Sequence, residues 1–276
     1  MIFINTNYAC RSFCRNIIGR GFIARHLHQN ILDIYLNKRL LEMSGFFCVN
    51  FMFLSLTDFL FPKKCLGCSR NGSYFCQRCI GKQEQYGDQK CIKCQRSSLD
   101  GLTHPKCKSV YLPEGVFVMY RYKNILKKLV RDIKFRRLKS LDNELTQLYA
   151  NLDERLVDYW LKNQFVVTSV PISRSKLNKR GFNQAELLAK KFASINDLEY
   201  QDFLSRKRDT KAQFGLNRKE RFQNIANSFT LKKKFKKGTN LLLIDDVITT
   251  GVTAIECVKV LKRSRAGKVW VLVLAG

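Results

Sequence analysis

The chain has 276 residues, long enough for one medium domain and a small accessory one. Apolar residues make up 45% of it, which excludes wholesale disorder. Lys and Arg total 50 against 22 Asp and Glu, a net charge of +28, so the expected partner is an anion: nucleic acid, a phosphorylated small molecule or an anionic membrane.

The first notable segment is the apolar run SGFFCVNFMFLSLTDFLF, residues 44–61. It is about long enough to span a bilayer, but Asp58 interrupts it and no small-residue cleavage signal follows. Met43 or Met52 reads as the natural start, with residues 1–42 an upstream extension outside the translated protein. Residues 43–61 are then expected as an N-terminal apolar helix packed on the next module. A membrane-attached segment is the alternative.

Residues 62–110 carry Cys65-x-x-Cys68, Cys76-x-x-Cys79, Cys91-x-x-Cys94 and His104-x-x-Cys107. These four two-ligand knuckles supply eight ligands, enough for two closed tetrahedral zinc sites. Such spacing indicates thiolates holding metal in a reducing compartment, not a secreted disulfide framework. Sequential and interleaved pairings both remain open. A segment so poor in apolar runs does not close a core without a metal staple.

Residues 111–276 are expected to form the main domain, and residues 111–163 read mostly as helix. Tyr122, Ile125, Leu126, Leu129 and Ile133 recur at helical spacing. Lys127, Lys128, Arg131, Lys134, Arg136 and Arg137 make the rest of this stretch basic, a candidate DNA-binding surface set against an ordinary solvated face. Tyr120, Tyr122 and Phe135 offer rings for base stacking, against the plainer role of core packing.

From residue 164 strands and helices alternate. FVVTSV (165–170), NLLLID (240–245) and KVWVLVLA (268–275) read as buried strands, and LEYQDF (198–203) as a short one. GFNQAELLAKKFA (181–193), RKERFQNIA (218–226) and TAIECVKVLKR (253–263) read as helices. That alternation predicts an α/β fold with a parallel sheet, whose ligands sit outside the carboxyl ends of the strands.

One such end is LLLIDDVITTGVT, residues 241–253. Backbone N–H groups at the start of the following helix attract phosphate, and Gly251 permits close approach. Asp245 and Asp246 cannot bind phosphate, but they can accept from sugar hydroxyls and support a shared Mg²⁺. The pattern therefore suits a phosphorylated ribose. The plainer alternative is an acidic strand end closed by a Thr-rich turn. No G-x-x-x-x-G-K-[ST] occurs in the chain, so a P-loop is excluded.

This stretch resembles the 5-phosphoribosyl-1-pyrophosphate (PRPP) motif of type I phosphoribosyltransferases. VPISRSKLNKRGFNQAELLAK (170–190) and RDTKAQFGLNRKERFQNIANSF (208–229) resemble the ComF (competence protein F) family. The resemblance covers roughly residues 55–276. His104, where members usually have Cys, and the N-terminal extension depart from it. It implies a type I phosphoribosyltransferase-like parallel sheet flanked by helices, preceded by a small double zinc ribbon.

By that resemblance, Asp245 and Asp246 hold the ribose hydroxyls, and Thr249, Thr250, Gly251, Val252 and Thr253 the 5-phosphate, with Mg²⁺. Arg174 and Lys176 face the pyrophosphate, with Arg180 at the start of the helix behind them. Arg206 to Arg221 form a mobile loop that closes over the ligand with Arg208, Gln213 and Arg221. The implied role is in natural transformation: uptake or processing of incoming single-stranded DNA, beside other components of the uptake machinery. The implied place is cytoplasmic, including the inner face of the cytoplasmic membrane. The alternative is an active Mg-dependent phosphoribosyltransferase with an unknown acceptor.

Overall fold

The computed structural model describes residues 63–133, 141–207 and 218–276, within one compact unit that begins at Lys63. The extension and the apolar helix expected over 1–61 lie outside the described residues. Among the described residues, no helix is long and apolar enough to cross a membrane.

Six strands follow in chain order: β1 (Gly115–Tyr120), β2 (Val166–Ser169), β3 (Leu204–Arg206), β4 (Phe229–Leu231), β5 (Leu241–Val247) and β6 (Val269–Ala275). Four of them make a parallel sheet in the order β1-β6-β5-β2. The other two, β3 and β4, form a separate antiparallel pair. The helices are α1 (Gln77–Ile80), α2 (Asn124–Ile133), α3 (Asp142–Tyr149), α4 (Glu154–Lys162), α5 (Arg174–Arg180), α6 (Gln184–Ile195), α7 (Arg218–Ile225) and α8 (Val252–Arg263).

The central strands are apolar throughout because both faces of the sheet are covered. Leu242, Ile244, Leu272 and Leu274 enter a core with Trp160 of α4 and Phe192 of α6. Leu241, Leu243, Val271 and Val273 point the other way, into a core with Val258 and Leu261 of α8. Each such side chain contributes about 1.5–3 kcal/mol on burial. Trp160 and Trp270 meet edge to face at 6.1 Å between ring centroids.

The cysteine-rich module divides between these two cores. Cys65, Phe75, Cys79 and Ile80 join the first, while Ile92 joins the second. The module also runs along the open edge of β1, with antiparallel bridges Gln85↔Tyr120 and Leu102↔Gly115. Between them the Gln89 amide replaces a strand: it donates to the Val118 carbonyl at 2.7 Å and accepts from its N–H at 3.0 Å. An edge covered this way is closed to further pairing.

Three expectations need correction. Residues 111–163 are not mostly helical at their start, because Gly115–Tyr120 is an edge strand; Gly115 lets the Trp270 ring lie against it, and a Cβ there would stand 2.5 Å from that ring. The segment 198–203 makes only one bridge, Tyr200 to Val167, and the strand follows at Leu204. Its charged and amide side chains, Glu199, Gln201 and Asp202, suit a solvated rim better than a ladder. The helix expected from Gly181 starts at Gln184, and Gly181 at φ 79° instead ends α5, a left-handed position that favours glycine.

Candidate functional site

The thiols form two groups, paired in sequence order. Cys65, Cys68, Cys76 and Cys79 make one, and Cys91, Cys94, His104 and Cys107 the other; in each, the ligand atoms lie within 4.8 Å of one another. A tetrahedral ion with metal–sulfur bonds of about 2.3 Å sets sulfur–sulfur edges of about 3.8 Å. The Sγ of Cys76 lies 3.6 Å from that of Cys65 and 3.7 Å from that of Cys68. In the second group, His104 Nδ1 lies 3.3 Å from Cys94 Sγ, and its Nε2 is 3.1 Å from the Ser97 carbonyl. In the tautomer that donates from Nε2 to Ser97, Nδ1 is left free to ligate. Both donor sets fit a metal ion and are compatible with zinc ribbons.

The metal-free thiols are unequal. Burial pushes Cys65 up, but the backbone amides of Cys76, Gly67 and Cys68 outweigh it and bring the thiol to about 6. Cys91 falls to about 7 by the same contest, with amides of Cys94, His104 and Lys93. Burial and three neighbouring thiols push Cys79 up to about 12. Each group thus holds one thiol poised to be a thiolate near neutral pH.

The second assembly lies at the carboxyl edge of the sheet. β5 ends in Asp245 and Asp246, both half-buried. Successive strand residues face opposite ways, yet both carboxylates border one cleft of about 350 Å³. The backbone pins them: Asp246 N–H donates to Asp245 Oδ1 at 2.9 Å, and Val247 N–H to Asp246 Oδ1 at 2.8 Å. The turn is tied to the neighbouring strand by Ile248 N–H to the Ala275 carbonyl, 2.9 Å. Gly251 at φ 73° then opens α8, and no side chain caps it. Its first N–H groups are left to a ligand or to water.

Lys176 and Arg180 of α5, Asn183, and Arg206 of β3 also line the cleft. Asn183 is buried; its Nδ2 donates to the Val170 carbonyl at 3.0 Å, while its Oδ1 has no partner among the described residues. An orphaned acceptor beside a cleft is a place for a ligand donor. Carboxylates, cations and open helix amides around one cleft suit a molecule that carries both hydroxyls and anionic groups.

The expected site residues are placed unevenly. Asp245, Asp246, Thr249, Thr253, Lys176 and Arg180 meet at this cleft. Thr250 and Gly251 instead line an adjoining pocket, which shares Thr249. Val252 is buried and can offer only its backbone. Arg174 lies on a neighbouring depression, not on the cleft. It begins α5, and Arg180 ends that helix and does not start the one behind it. Arg208 and Gln213 lie outside the described residues, as does the side chain of Arg221 within α7. Lys127, Lys128 and Arg131 are exposed on α2, and Lys134, Phe135, Arg136 and Arg137 lie outside the described residues. Tyr120 is core: its hydroxyl donates to the Leu148 carbonyl at 2.7 Å.

Arg206, expected as the first residue of the mobile loop, instead ends β3 and lines the cleft. It sits in β3 with its guanidinium 5.4 Å from the Phe229 ring centroid, a cross-strand contact that spacing alone does not reveal.

No family model matches the chain. It is 30% identical over 208 residues to "Competence protein F" of Haemophilus influenzae, covering 72% of this chain and 84% of that one. It is 32% identical over 202 residues to "Competence protein ComFC" of Streptococcus pneumoniae, covering 70% and 84%. "DNA utilization protein YhgH" of Escherichia coli is 30% identical over 154 residues, covering 53% and 66%. Among solved structures, adenine phosphoribosyltransferase of Leishmania tarentolae is 12% identical with a TM-score of 0.32, over 58% of this chain and 91% of that one.

Proposed function

Because the chain belongs to the competence protein F family, we propose that it acts in natural transformation, on incoming single-stranded DNA, and that its cleft binds PRPP. One observation carries the ligand assignment. Asp245, Asp246, Thr249 and Thr253 share a single cleft with Lys176 and Arg180. The carboxylates accept from the ribose hydroxyls and position Mg²⁺, the amides at Thr249–Thr253 take the 5-phosphate, and the α5 cations take the pyrophosphate. Arg174, Arg208, Gln213 and Arg221 add charge and amide contacts as the ligand is enclosed.

The two cysteine groups each hold a structural Zn²⁺ in this reading. Their donor sets are complete, so the metal fixes the module against the sheet and leaves no position for a reacting water. The DNA assignment rests on the relatives' names, the net charge of +28 and the exposed α2 cations. The protein then works in the cytoplasm, at the inner membrane face where the strand arrives, with other uptake components.

The alternative is a Mg-dependent phosphoribosyltransferase. Its support is the adjoining pocket that shares Thr249, which gives an acceptor a place beside the ribose.

Calorimetry with PRPP and Mg²⁺ tests the ligand. The wild type should bind, and Asp245→Asn with Asp246→Asn should weaken binding at least about tenfold. Equal binding by both proteins refutes the assignment.

A further inference from the structure

A second pocket, of about 370 Å³, lies between the cysteine-rich module and the carboxyl edge of β1 and β6. Its walls include Tyr86, Tyr122 and Ile92, with Lys90, Arg121 and Lys123 around them, and among the described residues no Asp or Glu side chain lines it. It shares Thr249 with the cleft already described.

The two tyrosines are set by backbone bonds. Tyr86 N–H donates to the Met119 carbonyl at 2.9 Å, and Tyr122 N–H to the Gly276 carbonyl at 2.7 Å. Both rings remain half-buried. The Arg121 guanidinium lies 5.9 Å from the Tyr86 ring centroid. Arg121 and Lys90 reach Glu84 and Asp88 only at 3.6 and 3.9 Å, in exposed pairs that are worth little.

Tyr122 stands between the two regions of opposite charge. Burial pushes its phenol up, the Asp246 carboxylate adds to that, and Arg131 opposes it. From Lys123 the cations continue on one exposed face of α2 at four-residue spacing, Lys127 and then Arg131. That places them about 6 Å apart along the helix axis.

We propose that this pocket takes one unstacked base of a single-stranded nucleic acid against Tyr86 and Tyr122, with the strand's phosphates on Lys90, Arg121 and Lys123 and onward along α2. This rests on the reading of DNA as the partner. A ring with an apolar face and a flanking negative charge is the ligand this lining favours. A pocket of this size admits one base, which a duplex keeps stacked inside. Because Thr249 is common to both pockets, the base lies beside the ribose phosphate cleft. The cysteine-rich module then serves twice, since one of its faces also forms the wall on which a nucleotide stacks.

Fluorescence anisotropy of the whole chain with fluorescein-labelled oligothymidylate, at several salt concentrations, tests this. Tyr86→Ala should weaken binding about tenfold, while Tyr86→Phe should bind like the wild type. An abasic strand of equal charge should bind both Tyr86→Ala and wild type alike. Lys123→Ala, at an exposed position, should lower the slope of log affinity against log salt by about 0.7. Metal content and circular dichroism establish that each variant is folded, and Lys123→Ala carries the test if Tyr86→Ala is not. Wild-type affinity in Tyr86→Ala and an unchanged slope in Lys123→Ala overturn the pocket alone. Equal loss on the abasic strand also overturns it. No binding by the wild type overturns the DNA reading itself.

Discussion

Ile92 lies directly under Gly251: a Cβ built on Gly251 would stand 3.1 Å from both Cγ1 and Cδ1 of Ile92. Ile92 is flanked by Cys91 of the second cysteine group, and Gly251 opens the helix that follows Asp245 and Asp246. The second cysteine group and the turn after Asp246 are thus in contact, and a methyl group there would require the Ile92 side chain to shift by a few tenths of an ångström.

Gly251→Ala should therefore weaken two things together. The left-handed backbone at φ 73° costs an alanine about 1–2 kcal/mol, before any displacement of Ile92. Thermal unfolding should register that loss, and calorimetry should register weaker PRPP binding.

Ile92→Ala approaches the same contact from the other side. Ile92 is 3% exposed, so its truncation should cost roughly 2–5 kcal/mol. The metal should stay bound in the second group, since no ligand is changed. Loss of that metal in Ile92→Ala would mean the knuckle needs the turn to hold its shape.

Metal analysis should find two zinc equivalents per chain, one for each group. Cys65→Ser and Cys91→Ser should each remove one. Zinc affinity of the stripped protein should rise with pH. Below about 6–7 the thiols of Cys65 and Cys91 protonate and compete with the metal. Cys79, near 12 without metal, should release its proton on binding at neutral pH, which calorimetry in buffers of different ionisation enthalpy would count.

Asp153 caps α4, accepting from Arg155 N–H at 2.9 Å. Asp153→Ala should cost about 1 kcal/mol. The Arg155 guanidinium and amide hold the Asp153 carboxyl below its ordinary value. A depressed folded value stabilises above the unfolded one and is lost as pH falls through the folded one. The difference between variant and wild type should therefore shrink in acid, measured by urea unfolding across pH.

The sequence made some of this plain for physical reasons. Leu241–Ile244 and Val269–Ala275 are covered on both faces, so their apolar runs signal strands without alternation. The ligand groups followed from spacing, but their sequential pairing did not. β1 was hidden because Gly115–Tyr120 is a short apolar run next to a helical pattern, and periodicity cannot separate the two. Ile92 beneath Gly251 joins residues far apart in the chain, and no local pattern encodes such a contact. That Arg206 lies in a strand and not a loop was hidden likewise, since its place depends on pairing with Phe229.

The position of β6 has a consequence for how the protein is made. β6 separates β1 from β5, so β1 has no partner in the sheet until Val269–Ala275 have left the ribosome. The turn after Asp246 also waits, because Ile248 is anchored to Ala275. The cysteine groups need only residues 65–107 and can take up metal well before that. With zinc bound as proposed, metal uptake and sheet closure would fall at opposite ends of synthesis, and the metal-bound module would serve as a preformed surface for β1 while the rest of the domain is translated.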